Sequence, residues 1–463
     1  MPHAKPMSLA EIVPSDVRRI CKRFAAAGYR AWVVGGCTRD LLLGRPVHDW
    51  DLATNALPSA VMQLFPRVIP TGVQHGTVTV MLGPNGFEVT TLRGEGAYSD
   101  GRHPDSVRFV SDLREDLARR DFTINAIALD PLDGVLHDPF DGRSDLERRL
   151  IRAVGRPQER FGEDGLRVLR AARFAAMLDF DIEPATLAAI PSAHATLAKV
   201  SMERVRDELL KTMSARHPSR GLQIMLDTGI LAVVLPELLP MVGCEQNKYH
   251  AYDVWTHTLH CVDASPDDVL LRLAALLHDV GKPGVRAIGE KTADYTFYEH
   301  ERVGAPIADK ICTRLKLSNE QRARVVHLVA EHLVVYDPQW SDAAVRRWIR
   351  RVGAESVADV LALARADADA KGVDSSDTIA RLHQLHTRVD ALTAQGAALT
   401  VRDLAINGND LMRELQVPPG PWIGRILDHL LEIVLEDPSA NQPDRLLHAA
   451  RSFVLSGQAS CPR

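Results

Sequence analysis

The sequence predicts an α+β fold, with a sheet in the first third of the chain and helices in the rest. Short segments of β-branched and aromatic residues, separated by Gly, Pro and Asn, recur only before about residue 145. After that point the chain is rich in Leu, Ala, Val and Arg with a period of 3.6 residues, which is typical of amphipathic helices. Residues 1–30 are predicted to be mainly helical. The predicted strands are Arg30–Val34, Thr77–Met81, Phe87–Thr91 and Val107–Val110.

Length and composition are typical of a soluble globular protein with several domains. The chain has 463 residues, which is longer than a domain with a single hydrophobic core usually is. Two to four domains are therefore expected. No apolar run reaches membrane-spanning length and no signal-peptide core is present, so we expect a cytoplasmic protein without a membrane partner. The six cysteines form no CxxC pair, which indicates reduced thiols. Because the net charge is −5, a nucleic-acid partner requires a local basic surface.

A glycine pair follows the first predicted strand, and two closely spaced aspartates come soon after it. Gly35 and Gly36 lack a Cβ, so their backbone N–H groups can approach a phosphate. A helical stretch is predicted over 38–43. On a strand, Asp49 and Asp51 would point to the same face and hold Mg²⁺ against a triphosphate. A phosphate-binding turn beside a pair of metal-binding carboxylates favours nucleotidyl transfer.

The two aspartates taken alone are most often solvated charges at a strand edge. Glu88 strengthens the interpretation as a metal site, because it lies in an alternating strand that can run beside the first. A third carboxylate there can hold a second metal or activate the attacking hydroxyl. Arg39 and Asp40 belong either to the nucleotide site or to an ordinary ion pair that caps the helix.

Charged residues further along the chain are candidates for nucleotide contacts. Arg120 and Asp121 are placed to contact phosphate and ribose, whereas Arg119 is expected to be a solvated charge. Asp164 and Arg167 lie three residues apart on a predicted helix. They either present an acceptor and a forked donor to a base or take part in surface salt bridges, and the spacing alone favours salt bridges.

The segment 143–173 is the best candidate surface for an RNA backbone. It contains nine arginines, among them Arg170, and five acidic residues. A helix bundle with solvated charges is the alternative interpretation.

Seven motifs in this part of the chain, over about residues 25–180, resemble those of a known enzyme family. In order along the chain they are GGCTRDLLLG, HDWDLAT, HGTVTV, FEVTTLR, RRDFTINAIA, DPFDGRSDLERRLIRAVG and RFGEDGLRVLRAARF. Together they look like the class II tRNA nucleotidyltransferases, the CCA-adding enzymes of the polymerase-β-like superfamily.

The resemblance implies a polymerase-β-like nucleotidyltransferase head with a mixed sheet, followed by a helical neck, body and tail. It implies that Asp49 and Asp51 bind Mg²⁺, that Glu88 completes the catalytic site, and that tRNA is the partner. The segment Glu163–Arg167 would act as a protein template for CTP and then ATP, and Ser99–Pro104, with His103, resembles the loop that helps switch between them. The candidate nucleotide-binding residues are Gly35, Gly36, Arg39, Arg120, Asp121, Asp164, Arg167 and Arg170.

A second group of residues with metal-binding chemistry lies in the His-rich part of the chain. His278 and Asp279 form an adjacent pair at the end of an apolar helix, His257 lies upstream, and together they offer nitrogen and oxygen ligands to a divalent ion. A lone histidine is most often structural, but the pair followed by Gly-Lys-Pro favours a metal site. His300 and His332 are candidates to bind a second ion.

This segment resembles the HD phosphohydrolase superfamily. The resemblance implies a last metal ligand on a later helix, for which Asp367 matches best and Asp369 is the alternative. It also implies a divalent transition metal such as Ni²⁺, Mn²⁺ or Co²⁺. In bacterial CCA-adding enzymes a fused HD domain implies 2′,3′-cyclic phosphodiesterase, 2′-nucleotidase and phosphatase activities at damaged or blocked RNA 3′ ends.

Four domains are expected, and the proline-bounded segment Pro236–Pro240 marks one boundary. They are a head (1–145), a neck and body that bind nucleotide and RNA (146–243), an HD domain (244–370) and a helical tail (371–463). The tail resembles the C-terminal region of CCA-adding enzymes, whose implied role is to grip tRNA; a packed helical domain is the alternative. The chain is expected to be a monomer or a homodimer.

Two alternative functions stay open at this point. An A-adding enzyme or a poly(A) polymerase shares the same head. An HD phosphohydrolase whose head only binds nucleotide or RNA belongs to a different class, although the intact Asp49, Asp51 and Glu88 argue against an inactive head.

Overall fold

The computed structural model describes residues 9–94, 108–291, 293–395 and 399–456. The chain divides into two compact units between Leu239 and Pro240. That point falls within a 3₁₀ helix, Pro236–Met241, in the proline-bounded segment. The predicted switching loop with His103 and the first residue of the fourth predicted strand lie outside the described residues.

A seven-stranded mixed sheet forms the centre of the first unit. The strands of this unit are β1 (Ala31–Val34), β2 (Leu52–Thr54), β3 (Val68–Gly72), β4 (Thr77–Leu82), β5 (Asn85–Thr91), β6 (Arg93–Gly94), β7 (Arg108–Phe109), β8 (Ala128–Leu129), β9 (Leu136–His137), β10 (Leu150–Ile151) and β11 (Asp181–Ile182). The sheet has the order β3-β4-β5-β2-β1-β8-β9; β2 and β5 are parallel and the other neighbours are antiparallel. The predicted mixed sheet of the head is confirmed, and β1, β4 and β5 differ from three predicted strands by one or two residues at their ends.

Helices pack around this sheet and continue after it. In the first unit they are α1 (Leu9–Ile12), α2 (Ser15–Ala26), α3 (Gly36–Leu42), α4 (Pro58–Leu64), α5 (Leu113–Ala118), α6 (Gly142–Glu147), α7 (Pro157–Glu163), α8 (Leu166–Leu178), α9 (Pro184–Ala189), α10 (His194–Leu197), α11 (Met202–Met213), α12 (Pro218–Asp227) and α13 (Ile230–Val234). Pro14 separates α1 from α2 because it lacks a backbone N–H, so the N-terminal helical region is broken. The helix α2 buries Val17, Ile20 and Phe24 at helical spacing in the core cluster of the sheet.

The sequence indicated a body that is entirely helical after the sheet, but the structure also contains strands there. Two short strands, β10 and β11, pair in parallel. Arg149 and Asp179, which precede them, both adopt a left-handed backbone conformation and are joined by an ion pair of 2.6 Å. Two-residue strands carry no periodic signal, so the hydrophobic pattern of the sequence does not reveal this ladder.

The second unit is built mainly from helices. They are α14 (Val254–Ala264), α15 (Val269–Leu277), α16 (Lys282–Val285), α17 (His300–Arg314), α18 (Asn319–Glu331), α19 (Asp342–Val352), α20 (Val357–Asp369), α21 (Ser376–Ala394), α22 (Gly408–Leu415), α23 (Pro421–Glu436) and α24 (Pro443–Leu455). A small antiparallel pair, β12 (Ala287–Ile288) and β13 (Tyr295–Thr296), is a second departure from the all-helical prediction. Within the described residues, no helix combines the length and the apolar character needed to cross a membrane.

Candidate active sites

Three carboxylates lie together at one edge of the sheet in the first unit. Glu88 lies in β5, which runs parallel to β2 with Leu52 paired to Val89. Asp51 immediately precedes β2, so it is level with Glu88 in this register, and Asp49 lies two residues earlier. The three side chains line one cavity of about 760 Å³.

The prediction that Asp49 and Asp51 lie on a strand is wrong, because β2 begins only at Leu52. The segment before the strand is nevertheless fixed to the sheet. The carbonyl of Asp51 accepts a hydrogen bond from the backbone N–H of Val34 at 3.1 Å. The sheet thus holds the two aspartates beside Glu88. A metal site formed by all three carboxylates requires this proximity.

The crowding of negative charge changes the titration of Asp51. Desolvation in this concave site and the charge of Glu88 raise the pKa of Asp51 to about 6, against the opposing effect of Arg120. Three oxygen-bearing groups that repel one another are suitable ligands for a hard divalent cation, which would neutralise them.

Gly35 lets the backbone approach the charged side chains of this site. Its backbone angles, φ 78° and ψ −138°, are rarely adopted by other residues. A Cβ at this position would lie 3.1 Å from Nη1 of Arg120 and 4.0 Å from Oδ2 of Asp51. Gly36 begins α3 directly afterwards, so the end of β1, the glycine turn and the start of the helix meet at the site.

We expect Gly35→Ala to raise the KM for a nucleoside triphosphate about tenfold, because the added methyl group displaces Arg120. The backbone strain also lowers the free energy of unfolding by about 1–3 kcal/mol. Gly44→Ala is the matched control, since Gly44 also has a positive φ but no atom within 4 Å of the added Cβ. Steady-state kinetics and thermal unfolding measure the two effects, and equal KM values for both variants would contradict the prediction.

A second cavity of about 470 Å³ adjoins the carboxylates, and Asp51 lines both. All the candidate nucleotide-binding residues line it: Gly35, Gly36, Arg39, Arg120, Asp121, Asp164, Arg167 and Arg170. The structure adds Arg119, Asn125, Arg173 and Arg204, which the sequence interpretation did not assign to the site. The cavity therefore combines many cationic groups with two aspartates next to the predicted metal ligands.

Arg39 pairs with Asp40 and also lines the cationic cavity. It forms an ion pair of 2.9 Å with Asp40, and its Nη1 donates to Oδ1 of Asn125 at 2.8 Å. Its guanidinium group also lies 5.1 Å from the ring centroid of Phe174. The ion pair thus holds a buried arginine in the wall of the cavity.

Asp121 is held as an anion in the cavity wall. Its Oδ2 lies 2.6 Å from Nη2 of Arg170, and its Oδ1 accepts from Asn125 at 3.0 Å. Burial opposes ionisation, but the charge of Arg170 and these hydrogen bonds hold the pKa of Asp121 well below its usual range. Arg170 also lies 3.6 Å from Glu208, which contacts Arg173 at 3.1 Å.

Arg119 is not the solvated charge that the sequence predicted. It contacts the buried Asp116 at 2.6 Å and donates to the carbonyl of Arg93 at 3.1 Å. Arg120 also pairs with Asp116 at 3.2 Å, so one buried carboxylate orients two arginines. Burial lowers the pKa of Arg119 to about 10.

The segment proposed as a base template is ordered by contacts that sequence spacing does not show. The predicted i,i+4 pair of Glu163 and Arg167 is present. Arg167 also donates to the carbonyls of Arg160 at 2.8 Å and Arg119 at 3.0 Å. Asp164 is instead bound by both ends of the Arg204 guanidinium group, at 2.6 and 3.3 Å. Asp164 and Arg167 therefore line the cavity with separate partners.

The arginines of segment 143–173 are engaged largely within the protein. Eight of the nine form ion pairs with carboxylates: Arg148, Arg149, Arg152, Arg156, Arg160, Arg167, Arg170 and Arg173. Such pairs reduce the charge available to an RNA backbone, so the helix-bundle alternative accounts for much of this composition.

The predicted metal ligands of the second unit form one compact cluster. Nε2 of His257 lies 3.0 Å from Asp367 and 3.5 Å from Asp279. Nε2 of His278 lies 3.1 Å from Asp279. Asp369, the alternative to Asp367, instead lies 3.8 Å from Arg365 and lines a different cavity.

The two candidate ligands of a second ion lie on the other side of Asp279. Nε2 of His300 is 3.2 Å from Oδ1 of Asp279 and 3.1 Å from Nε2 of His332. The cluster takes its residues from α14, α17 and α20 and from the residues directly after α15 and α18.

Each histidine of the cluster is oriented through its other ring nitrogen. Nδ1 lies within hydrogen-bond distance of a backbone carbonyl in four cases, for His257 (Ala370, 3.3 Å), His278 (Ala275, 2.7 Å), His300 (Phe297, 2.8 Å) and His332 (Val329, 2.8 Å). A carbonyl can only accept, so Nδ1 carries the proton and Nε2 presents a lone pair to the cluster. The buried Nε2 atoms of His257 and His278 have no hydrogen-bond partner, which fits a metal site, while Oδ2 of Asp279 lies 2.6 Å from Nζ of Lys282.

Comparisons with known proteins define the class of the chain. Residues 31–152 match the family model "Poly A polymerase head domain", 179–241 match "Probable RNA and SrmB- binding site of polymerase A", and 303–450 match "tRNA nucleotidyltransferase domain 2 putative". The sheet and these matches define a polymerase-β-like nucleotidyltransferase with a helical body.

Relatives and solved structures make the assignment more specific. The chain is 36% identical over 435 residues to the CCA-adding enzyme of Lactiplantibacillus plantarum, covering 93% of this chain and 94% of the relative. It is 35% identical over 459 residues to that of Limosilactobacillus fermentum, covering 96% and 98%. The crystal structure of Bacillus stearothermophilus CCA-adding enzyme in complex with CTP has a TM-score of 0.73 at 30% identity, covering 96% and 98%.

The chain belongs to the family of CCA-adding enzymes and is a tRNA nucleotidyltransferase. This membership favours CCA addition over the A-adding and poly(A)-adding alternatives. A CCA-adding enzyme of Thermotoga maritima complexed with tRNA, at 20% identity and a TM-score of 0.57, shares the fold.

Proposed function

We propose that Asp49, Asp51 and Glu88 form the catalytic centre that adds C, C and A to the 3′ end of tRNA from CTP and ATP. The observation that carries this assignment is the shared position of Asp51, which lines both the carboxylate cavity and the cationic cavity. A nucleotide in the cationic cavity would place its phosphates beside the carboxylates.

Mg²⁺ fits the donor set of this centre, since three carboxylates that line one cavity provide oxygen ligands. Asp49 and Asp51 would hold it, and Glu88 would complete the site. Bound there, Mg²⁺ would neutralise charge on the triphosphate and lower the pKa of the attacking hydroxyl.

The reaction is an in-line displacement at the α-phosphorus. The 3′-oxygen of tRNA bonds to that phosphorus, the bond to the bridging oxygen breaks, and pyrophosphate leaves with its electron pair. In this proposal Glu88 either takes the proton of the attacking hydroxyl or holds a second metal ion. Arg120, held by Asp116, and the backbone of Gly35 and Gly36 would bind the phosphates.

Base selection is assigned to Asp164 and Arg167. The forked donor of Arg167 and the acceptor oxygens of Asp164 offer complementary groups to the edge of a cytosine or an adenine. Arg204 is a positioning residue, because its guanidinium group fixes both oxygens of Asp164.

We expect Arg204→Ala to raise the KM for both nucleotides about tenfold while kcat falls less. A tenfold change corresponds to about 1.4 kcal/mol. This is the size of effect expected from the loss of a charge-assisted hydrogen-bonded pair. Arg204→Lys should recover part of the effect, and misincorporation of other nucleotides should rise in the alanine variant. Arg206→Ala is the matched control, since Arg206 pairs with Asp207; a similar effect in that variant would contradict the assignment.

The overall activity is tested with tRNA transcripts that end before CCA, after C and after CC. Labelled CTP and ATP are supplied separately and together. Ordered addition of C, C and A that then stops is the expected result. Addition of A alone, long A tails or no incorporation would each contradict the proposal.

We further propose that residues 244–370, within the second unit, form an HD phosphohydrolase domain that acts on 2′,3′-cyclic phosphates and 2′-phosphates. His257, His278, Asp279 and Asp367 would bind one divalent transition metal, such as Ni²⁺, Mn²⁺ or Co²⁺, and Asp279, His300 and His332 a second. The oriented Nε2 atoms, and the close grouping of these histidines with Asp279 and Asp367, support this assignment.

The cavity beside this cluster suits a nucleotide phosphate. It has a volume of about 370 Å³, and Lys248, Lys282 and Lys371 line it. Tyr249 and Tyr298 also line it and are 63% and 80% exposed, so their rings are free to stack on a base. In hydrolysis, a water oxygen bonds to phosphorus, one ester bond breaks, and the released ribose oxygen takes a proton.

The remaining parts of the chain would bind RNA. We propose this role for the neck and body, 146–243, and for the tail, 371–463. For the neck and body the assignment rests on sequence resemblance and on α8 and α11, which help to line the nucleotide cavity. For the tail it rests on sequence resemblance alone.

A further inference from the structure

We infer that His250, a residue outside the predicted set, is a further metal ligand of the second site, and that Asn247 orients it. The inference rests on the proposed HD site and extends its ligand set. Among the described residues, one group with metal-binding geometry consists of His250, His257 and Asp367, whose ligand atoms lie within 4.8 Å of one another.

The orientation of His250 repeats that of the other histidines. Its Nδ1 lies 2.9 Å from Oδ1 of Asn247, an oxygen that can only accept a hydrogen bond. Nδ1 therefore carries the proton, and the Nε2 lone pair is free for an ion. Its ring also meets the ring of His257 edge-on, with centroids 5.2 Å apart at 90°.

The loop that carries His250 is fastened on both sides. The N–H of Ala251 donates to the carbonyl of Lys371 at 2.8 Å, directly after α20. Lys282 donates to Oε1 of Gln246 at 2.7 Å, and the N–H of Lys248 donates to Asp294 at 3.1 Å. A loop fixed to three separate segments places His250 reproducibly at the cluster.

A fifth protein ligand changes which metals suit the site. With His257, His278, Asp279 and Asp367 alone, a four-coordinate ion such as Zn²⁺ would be satisfied. In the proposal, His250 joins the shell beside its neighbours His257 and Asp367, which brings the protein ligands to five and leaves one position for water or substrate. That number suits six-coordinate ions of the first transition row, of which Co²⁺ and Ni²⁺ are suitable probes.

The test uses the full-length protein, stripped of metal and titrated with Co²⁺. Affinity is measured by calorimetry and coordination by the visible absorption spectrum, which is weak for six-coordinate and strong for four-coordinate Co²⁺. We expect His250→Ala to weaken binding at least tenfold and to increase the absorption per bound ion. Asn247→Ala should weaken binding about tenfold, as loss of a group that orients a ligand does.

His260→Ala is the matched control, because His260 lies on α14 three residues after His257 but stacks on Tyr252. It should bind Co²⁺ as the unmodified protein does. Unchanged affinity and spectrum in His250→Ala, with binding lost in His278→Gln, would overturn the inference and leave the HD site intact. Failure of the unmodified protein to bind Co²⁺ would overturn the HD proposal itself. His250→Gln, which retains polarity and more of the side-chain volume, checks that any loss is not caused by misfolding.

Discussion

Asp51→Asn should abolish nucleotide incorporation, with a loss of about a thousandfold or more. The substitution removes a metal-binding charge from the centre of the site, which costs several kcal/mol of transition-state stabilisation. A difference of about 1.4 kcal/mol corresponds to a factor of ten in rate. The free energy of unfolding should not fall, since the lost charge is repelled by Glu88. Single-turnover release of pyrophosphate from CTP and tRNA measures the activity, and thermal unfolding measures the stability.

Asp133→Asn is a suitable control for this experiment. Asp133 is exposed at the turn before β9 and accepts a hydrogen bond from the N–H of Val135, which asparagine can also do. Incorporation at the normal rate is expected in this variant. If a folded Asp51→Asn protein also retained incorporation, the catalytic assignment of the carboxylates would be wrong.

The second large effect is expected from His278→Gln combined with Asp279→Asn. Hydrolysis of 2′,3′-cyclic AMP should fall at least about a thousandfold, because the pair provides ligands for both proposed ions. These substitutions preserve side-chain volume, which matters because both residues are buried and alanine would leave a cavity. Phosphate release and metal content are the measurements.

CCA addition should remain at its normal level in this double variant, since the altered residues lie in the second unit. Conversely, Asp51→Asn should retain phosphodiesterase activity. A joint loss of both activities at normal thermal stability would contradict the model of two separate sites.

Much of the first site could be predicted from the sequence because its motifs are local. The glycine turn, Asp49, Asp51 and the strand with Glu88 each lie in a short segment with a clear chemical pattern. The eight candidate nucleotide residues all line one cavity. The strand assigned to the aspartates was wrong because pairing with the neighbouring strands, and not local pattern, decides where β2 begins.

The partners that orient the site could not be predicted in the same way. Arg204 meets Asp164 from 40 positions away along the chain. Asp116 is only three positions from Arg119, but the sequence pattern does not show that this carboxylate is buried and orients two arginines. His250 was missed because a lone histidine in a loop carries no motif. Its one sequence signal is its position seven residues before His257, which gains meaning only once the loop is folded against α20.

The metal cluster of the second unit also has a consequence for how that unit unfolds. Its residues come from five helical segments, and His257 and Asp367 are separated by more than a hundred positions in the sequence. An ion bound to both would bind the folded unit far more tightly than the unfolded chain, so its binding free energy would add to the free energy of unfolding. The same ligands would thus form a structural metal site as well as a reaction centre. The cooperativity of unfolding would then depend on the metal concentration.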